Sequence, residues 1–432
     1  MADAGFLDAL LAPRSALPKA PADWLKQRRS AALERAGALT VPSVRDEDWR
    51  FTDLSALYKL KLQTAEPGKP DGAAVAGHAI AESGACIVMV DGRYDRSLSR
   101  PYQADGVFVG GLTDAMQAHA QLLEQALALT AQTDGDLFAA VNTAFLQDAA
   151  VVCVGPGKVL DAPVHILQVS TGTQSASHPR ALIVAGRGAA ATVVEEFVSV
   201  GASSCLTNAV AELAVDSNAE LRYVKIQREI DNAFHIANTS AALARDARFR
   251  NWSITLGAKI SRHNLNILQQ GEGIDCEVDG LTLISGRQLA DTHSFIDHAH
   301  PHGQSRQLHK IVAGGAAHAV FNGKIFVRPG AQQTNSAQQS RNLLLTPRAH
   351  VDTKPQLEIF ADDVKCAHGA TVGQLDADEI FYLRSRGLSD PVARRLLTYA
   401  FAAEVVERIP VRSLVDALEQ SILEQTQTTE LK

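Results

Sequence analysis

From about residue 150 to about residue 375 the chain runs for roughly 200 residues without a helix-length periodic segment. Short β-rich runs alternate with Gly or Asn/Asp turns instead. They include Ala150–Val154, Val164–Val169, Ala181–Val184, Thr192–Val200, Cys205–Val215 and Leu221–Gln227, followed by Ser253–Leu256, Asn264–Leu268, Leu281–Ile284, His318–Phe321, Lys324–Val327 and Leu357–Phe360. A βαβ sheet needs crossover helices and is excluded. A sandwich, a barrel or a parallel β-helix remains. The unbroken length, and polar runs such as Gln332-Gln333 and Gln338-Gln339 that can stack between coils, lean toward the β-helix.

Both ends read differently. Pro21 to Ala36 has helical spacing, with Pro at its start and Gly37 at its end. Pro42 to Thr52 reads as a loop with a short turn, Gln63 to Gly77 as a linker, and Asp114–Thr130 and Leu137–Ala149 as helices. After Leu375 three helical blocks follow, Asp376–Arg386, Asp390–Ile409 and Arg412–Glu424. Three regions result: a helical or mixed region over 1–150, a β core over 151–371 and a helical region over 372–432.

Net charge of −7 supplies no general pull toward nucleic acid or anionic membrane. The five cysteines are scattered, odd in number and form no CxxC pair, so neither a disulfide framework nor a four-Cys cluster site within the chain is encoded. Residues 1–20 lack the basic start of a signal peptide, and no apolar stretch is long enough to span a membrane, so the cytoplasm is the expected setting. Gly186-Arg187-Gly188 imitates a dinucleotide fingerprint, but the β-branched run after it favours a Gly turn between strands. Gly155-Pro156-Gly157-Lys158 lacks the spacing of a P-loop.

Two groups could carry metal chemistry. Cys366 and His368 stand two apart at the end of the β region, so on a strand they face one way, and thiolate and imidazole suit zinc or iron–sulfur chemistry. Two ligands cannot complete a tetrahedral site. The pair is therefore either a structural Cys beside a hydrogen-bonded His, or half of a site that a second chain completes. The rival group is His298, His300 and His302. On a strand, His300 and His302 would face the same way, as in a cupin-like metal-dependent enzyme. Pro301 disturbs such a strand, and no acidic residue lies between Asp297 and Asp352.

The chain resembles the SufB/SufD scaffold family of iron–sulfur cluster assembly. The resemblance rests on Glu47-Asp48-Trp49-Arg50-Phe51-Thr52-Asp53-Leu54, on Asn142-Thr143-Ala144-Phe145, and above all on Val364–Pro410, with Lys365-Cys366-Ala367-His368-Gly369-Ala370-Thr371-Val372-Gly373 and Phe381-Tyr382-Leu383-Arg384-Ser385-Arg386-Gly387. SufB-like chains carry Glu where Gly369 stands, so the SufD type fits better. The resemblance implies a right-handed parallel β-helix between helical terminal domains, and a non-catalytic subunit that pairs with SufB through the β-helix end. A homodimer is also open when the chain is alone. It implies that the C-terminal helices bind the ABC ATPase SufC, with Phe381, Tyr382, Arg386 and Tyr399 as contact residues. His368 and Cys366 would face a transient iron–sulfur cluster or iron at the SufB interface, and the isolated chain would hold no cofactor stably.

Overall fold

Ten-residue strands set the architecture. In the computed structural model, which describes residues 2–12, 17–128, 135–201 and 204–429, successive strands alternate between two sheets, one of 12 strands and one of 10. From Arg180–Ala185 onward each strand pairs in parallel with the strand two places along, for example Phe234–Leu243 with Ile260–Gln269 in the first sheet and Asp275–Ile284 with Gln304–Ala313 in the second. The chain therefore winds as a parallel β-solenoid of about 8 turns with helices at both ends. The Gly186–Gly188 segment is a turn between strands Arg180–Ala185 and Ala190–Ser199, with Gly188 at φ +67°.

Alternate residues point into the bore. Ile166, Val193, Leu221 and Phe249 from one sheet meet Ile183, Leu213, Leu243 and Ile267 from the other in a dry column. Other inward positions are polar, from Gln168 and Glu195 in the early coils onward. Gln338 donates to Gln307 (2.7 Å), Gln307 donates to Ser294 (2.8 Å), and the Ser305 and Ser336 hydroxyls are 2.7 Å apart. Each polar side chain finds its partner across the bore or one coil away, which is what allows it to be buried. His309, stacked 4.6 Å from Phe321, occupies the space that a Cβ on Gly280 would fill.

The N-terminal region is fastened to the outer face of the 12-stranded sheet by both of the motifs quoted for it. Helix Leu137–Ala144 places Asn142 and Thr143 against the buried Arg180, which donates to Asn142 Oδ1 (2.9 Å) and Thr143 Oγ1 (3.1 Å) while paired with Glu212. The Glu47–Trp49 turn lies over later coils. There Arg262 donates to the Asp48 carbonyl (2.7 Å), covers the Trp49 ring at 4.5 Å and pairs with Asp291, which also accepts from Thr52. The segment read as a linker contributes strand Gln63–Thr64 and helix Gly72–Ala76, the latter capped by the Asp71 side chain. Of the helix expected over Asp114–Thr130, residues Leu112–Ala126 are helical and Thr130 lies outside the described residues.

Helices Asp390–Val406 and Arg412–Thr429 cover the outer face of the 10-stranded sheet. Ala402, Val405, Leu414, Leu418 and Ile422 pack on Val224, Ile226, Ile254 and Leu281. Arg408 to Asp279 (3.1 Å) and Lys310 to the Phe401 carbonyl (2.8 Å) fix the docking.

Burial by itself would raise the Asp291 carboxyl, but Arg262 and His293 overcome it and hold it below the ordinary carboxylate range. Its stabilising contribution is complete above about pH 4 and is lost as pH falls below that. Arg262→Ala leaves this charge buried without its main partner. It is expected to cost roughly 3–5 kcal/mol of stability at neutral pH in denaturant unfolding, with much of the acid sensitivity gone.

Candidate functional site at the open end of the solenoid

The two ends of the solenoid are unlike. At the start, antiparallel strands seal it: Val107–Gly111 pairs with Ala150–Val154, and Ala85–Val90 with Arg93–Tyr94. At the far end, His350–Ile359 pairs with His318–Val327, and Lys365–Gly373 with Asn335–Leu344. Among the described residues nothing pairs with the other edge of either last strand. Ile359, Phe360 and Val372 stand exposed there. A free parallel edge flanked by exposed apolar side chains is a template for another chain.

Cys366 and His368 sit on that last strand. Ser336 is in register with Cys366 and Gln338 with His368, and Ser336, Gln338 and Ser340 are buried while their neighbours in sequence are exposed. Cys366 and His368 therefore continue the inward column by one rung, where no further coil closes over them. His368 is exposed and borders an open hollow with Gln338, Ser340 and Ala370. Cys366 is half-buried against Ile325, Val327, Ala331 and Ala361, and burial pushes its thiol up. Cys153, Cys205 and Cys276 are buried and pushed up to about 12, so they are held as thiols.

The three histidines of the rival group do not converge. His298 ends a strand inside the bore, fully buried, with Nε2 2.9 Å from the Ser305 hydroxyl. His300 and His302 lie in the following turn, exposed, with His302 at φ +63°, so the expected strand over 300–302 is not there. Pro301 breaks it, as its lack of an N–H requires. The fold is a solenoid rather than a cupin barrel, and the metal-dependent-enzyme alternative loses both its scaffold and its ligand set. Sequence reasoning missed a different group, His318, His350 and Asp352, whose ligand atoms all lie within 4.8 Å of one another.

Helix Ala377–Ser385 follows the last strand directly. Asp376 caps it by accepting from the N–H groups of Asp378 and Glu379, and Ile380 is its buried side chain. Phe381 (72 % exposed) and Tyr382 (57 %) project into solvent, with Arg386 stacked 5.2 Å from the Tyr382 ring. Tyr399, on the next helix, is half-buried against the helix–sheet core, so it is placed apart from that exposed pair in character.

Comparison with known proteins agrees with this architecture. Residues 168–401 match the family described as SUF system FeS cluster assembly, SufBD core domain, and residues 3–166 match the SufBD protein N-terminal region. The chain belongs to the SufBD family. It is 39% identical to an iron–sulfur cluster assembly SufBD family protein of Synechocystis over 410 residues, covering 92% of this chain and 90% of that protein. It is 33% identical to the iron–sulfur cluster assembly protein SufD of Escherichia coli, covering 89% and 88%, and 33% identical to the chloroplastic protein ABCI7 of Arabidopsis thaliana, covering 94% and 85%. This SufBD-family chain is thus an iron–sulfur cluster assembly protein, SufD-like in its relatives. Among the described residues no helix is long and apolar enough to cross a membrane.

Burial lowers His298 from 6.5 to about 4, so it is neutral when folded and takes up a proton on unfolding between those values. Stability therefore falls as pH drops through that window, and His178 and His309, also lowered by burial, act in the same direction. His298→Gln should reduce the slope by up to about 1.4 kcal/mol per pH unit there, read from unfolding midpoints between pH 7 and pH 4.

Proposed function

We propose that this chain is the SufD-like, non-catalytic subunit of a cytoplasmic SUF complex, pairing with a SufB-like scaffold at its open solenoid end and binding a SufC-like ABC ATPase through its C-terminal helices. One observation carries the reading: an exposed imidazole stands on the unpaired last rung of the solenoid, at the end of an inward polar column. The cluster is cargo. His368 supplies a nitrogen ligand to it from this side, and SufB supplies thiolate from the other, since a site with two ligands is incomplete in one chain. Cys366 lies on the same face of the strand but is half-withdrawn into the core. It backs the imidazole and adds its sulfur only when the site is remodelled.

A site split between chains opens when either chain moves. The last strand ends at Gly373 and helix Ala377–Ser385 begins after three intervening residues, so an ATPase gripping Phe381, Tyr382 and Arg386 acts close to the ligand-bearing strand. ATP-driven change in that partner then biases the edge between two arrangements. Two apolar edges of the same kind also suit a homodimer when SufB is absent.

His368→Ala, expressed together with SufB and SufC, should lower the acid-labile sulfide recovered per complex by about tenfold or more, with the subunit's unfolding midpoint unchanged. Wild-type sulfide content in that variant removes His368 from the role. Phe381→Ala combined with Tyr382→Ala should weaken SufC binding by at least about 2 kcal/mol in surface plasmon resonance while leaving SufB pairing intact. Full SufC affinity in that variant assigns the ATPase contact elsewhere.

A further inference from the structure

We infer that His318, His350 and Asp352 form a site for one borderline divalent transition ion of the Zn²⁺, Co²⁺ or Fe²⁺ class, separate from the cluster ligands. His318 opens strand His318–Val327, His350 opens the neighbouring strand His350–Ile359, and the two are in direct register. Parallel neighbours in register stand about 4.8 Å apart, and Asp352, two residues beyond His350, returns to the same face. The imidazole centroids are 5.1 Å apart, and both Nε2 atoms reach one carboxylate oxygen of Asp352, at 2.7 Å from His318 and 3.3 Å from His350. Ala319 and Phe321, next in sequence on the same strand, face the core, so the trio is on the outer face of the 12-stranded sheet. His368 belongs to the other sheet.

The chemistry of the donors selects the ion. Two imidazoles with one carboxylate form the two-His-one-carboxylate set, which suits Fe²⁺ and Zn²⁺ and disfavours Mg²⁺ and Ca²⁺, whose ligands are oxygens. Bonds of about 2.0–2.2 Å place ligand atoms about 3 Å apart, close to the present spacing, so small side-chain rotations suffice. Lys354, on the same face, is engaged by Glu47 at 2.8 Å and does not compete for Asp352. Asp352 also borders an open cleft of about 600 Å³ beneath Glu47–Phe51, which gives an ion access from solvent and room for a water or another ligand in the remaining positions. His318 and Asp352 are 29% and 25% exposed and His350 66%, so the trio is partly desolvated yet reachable. One ligand comes from the penultimate strand of its sheet and two from the last. A bound ion therefore staples the free terminal strand to its neighbour. An ion held here departs from the expectation that the isolated chain holds no cofactor stably.

The test uses the full chain carrying Cys366→Ser and His368→Ala, treated with a chelator and titrated calorimetrically with Zn²⁺. The expected result is one ion per chain. Co²⁺ should give visible d–d bands without thiolate charge-transfer absorption, and saturating Zn²⁺ should raise the unfolding midpoint. Adding His350→Ala or Asp352→Asn, both at partly exposed positions, should weaken binding ~10–100-fold without changing the circular dichroism spectrum. Absence of binding in the Cys366→Ser, His368→Ala chain overturns the site, and so does undiminished affinity once His350 or Asp352 is replaced. Because the cluster ligands are already removed, neither outcome bears on the role proposed for His368.

Discussion

A parallel ladder satisfies the backbone of each strand with the strand before it and the strand after it, so a solenoid has to be terminated at both ends. In this chain the first coils are terminated internally by antiparallel strands, and the last coil is not. That asymmetry organises the rest. Polar inward residues run beside the apolar column in early and late coils alike, from Gln168, Glu195 and Lys225 to Gln307 and Gln338. A polar interior tolerates water at its mouth, whereas an apolar one ending in solvent would expose its core. The same unpaired edge that would be an aggregation hazard in an isolated protein is the edge at which the proposed pairing with a SufB-like chain would take place.

The long helix-free run of short strands left a sandwich, a barrel or a β-helix, and the resemblance to the SufB/SufD family implied the last, which the fold shows. The strands that escaped sequence reading share one cause. Asn335–Leu344 alternates buried Ser336, Gln338 and Ser340 with exposed neighbours, so its inward face is polar and the hydrophobic alternation that marks a half-buried strand is missing. Phe234–Leu243 and Leu289–His298 are hidden in the same way by His235, Asn238, Thr292 and Ser294 on buried positions. Asn238 and Ser294 are buried beside partners on other strands, Asn264 and Gln307, and that proximity is invisible in the linear chain. Of the motifs that signalled the family, Glu47–Thr52 and Asn142–Phe145 prove to be fasteners. They hold the N-terminal region to the solenoid through Arg262, Asp291 and Arg180.

The candidate site was legible in part. The i, i+2 spacing of Cys366 and His368 placed both on one face, but their unequal exposure depends on which coil is last, which spacing does not tell. The same spacing argument misled at His300 and His302, where Pro301 and a left-handed residue turn the chain. His318 and the His350–Asp352 pair were illegible for the opposite reason. Nothing in their local sequence distinguishes them, and only the register of two parallel strands brings them together.

Mechanical continuity makes the open end responsive rather than merely exposed. Helices Asp390–Val406 and Arg412–Thr429 are bonded to the 10-stranded sheet by an extensive apolar contact and by Arg408 and Lys310, so they ride with the solenoid body. Helix Ala377–Ser385 has Ile380 as its single fully buried side chain and presents Phe381 and Tyr382 outward. It is the loosely held link between that body and strand Lys365–Gly373, which itself has a neighbour on one side alone. Displacement imposed on this helix is resisted least by the edge strand, because that strand has the fewest bonds to break. The rung that carries Cys366 and His368 is therefore held by fewer backbone bonds than the fully paired coils behind it.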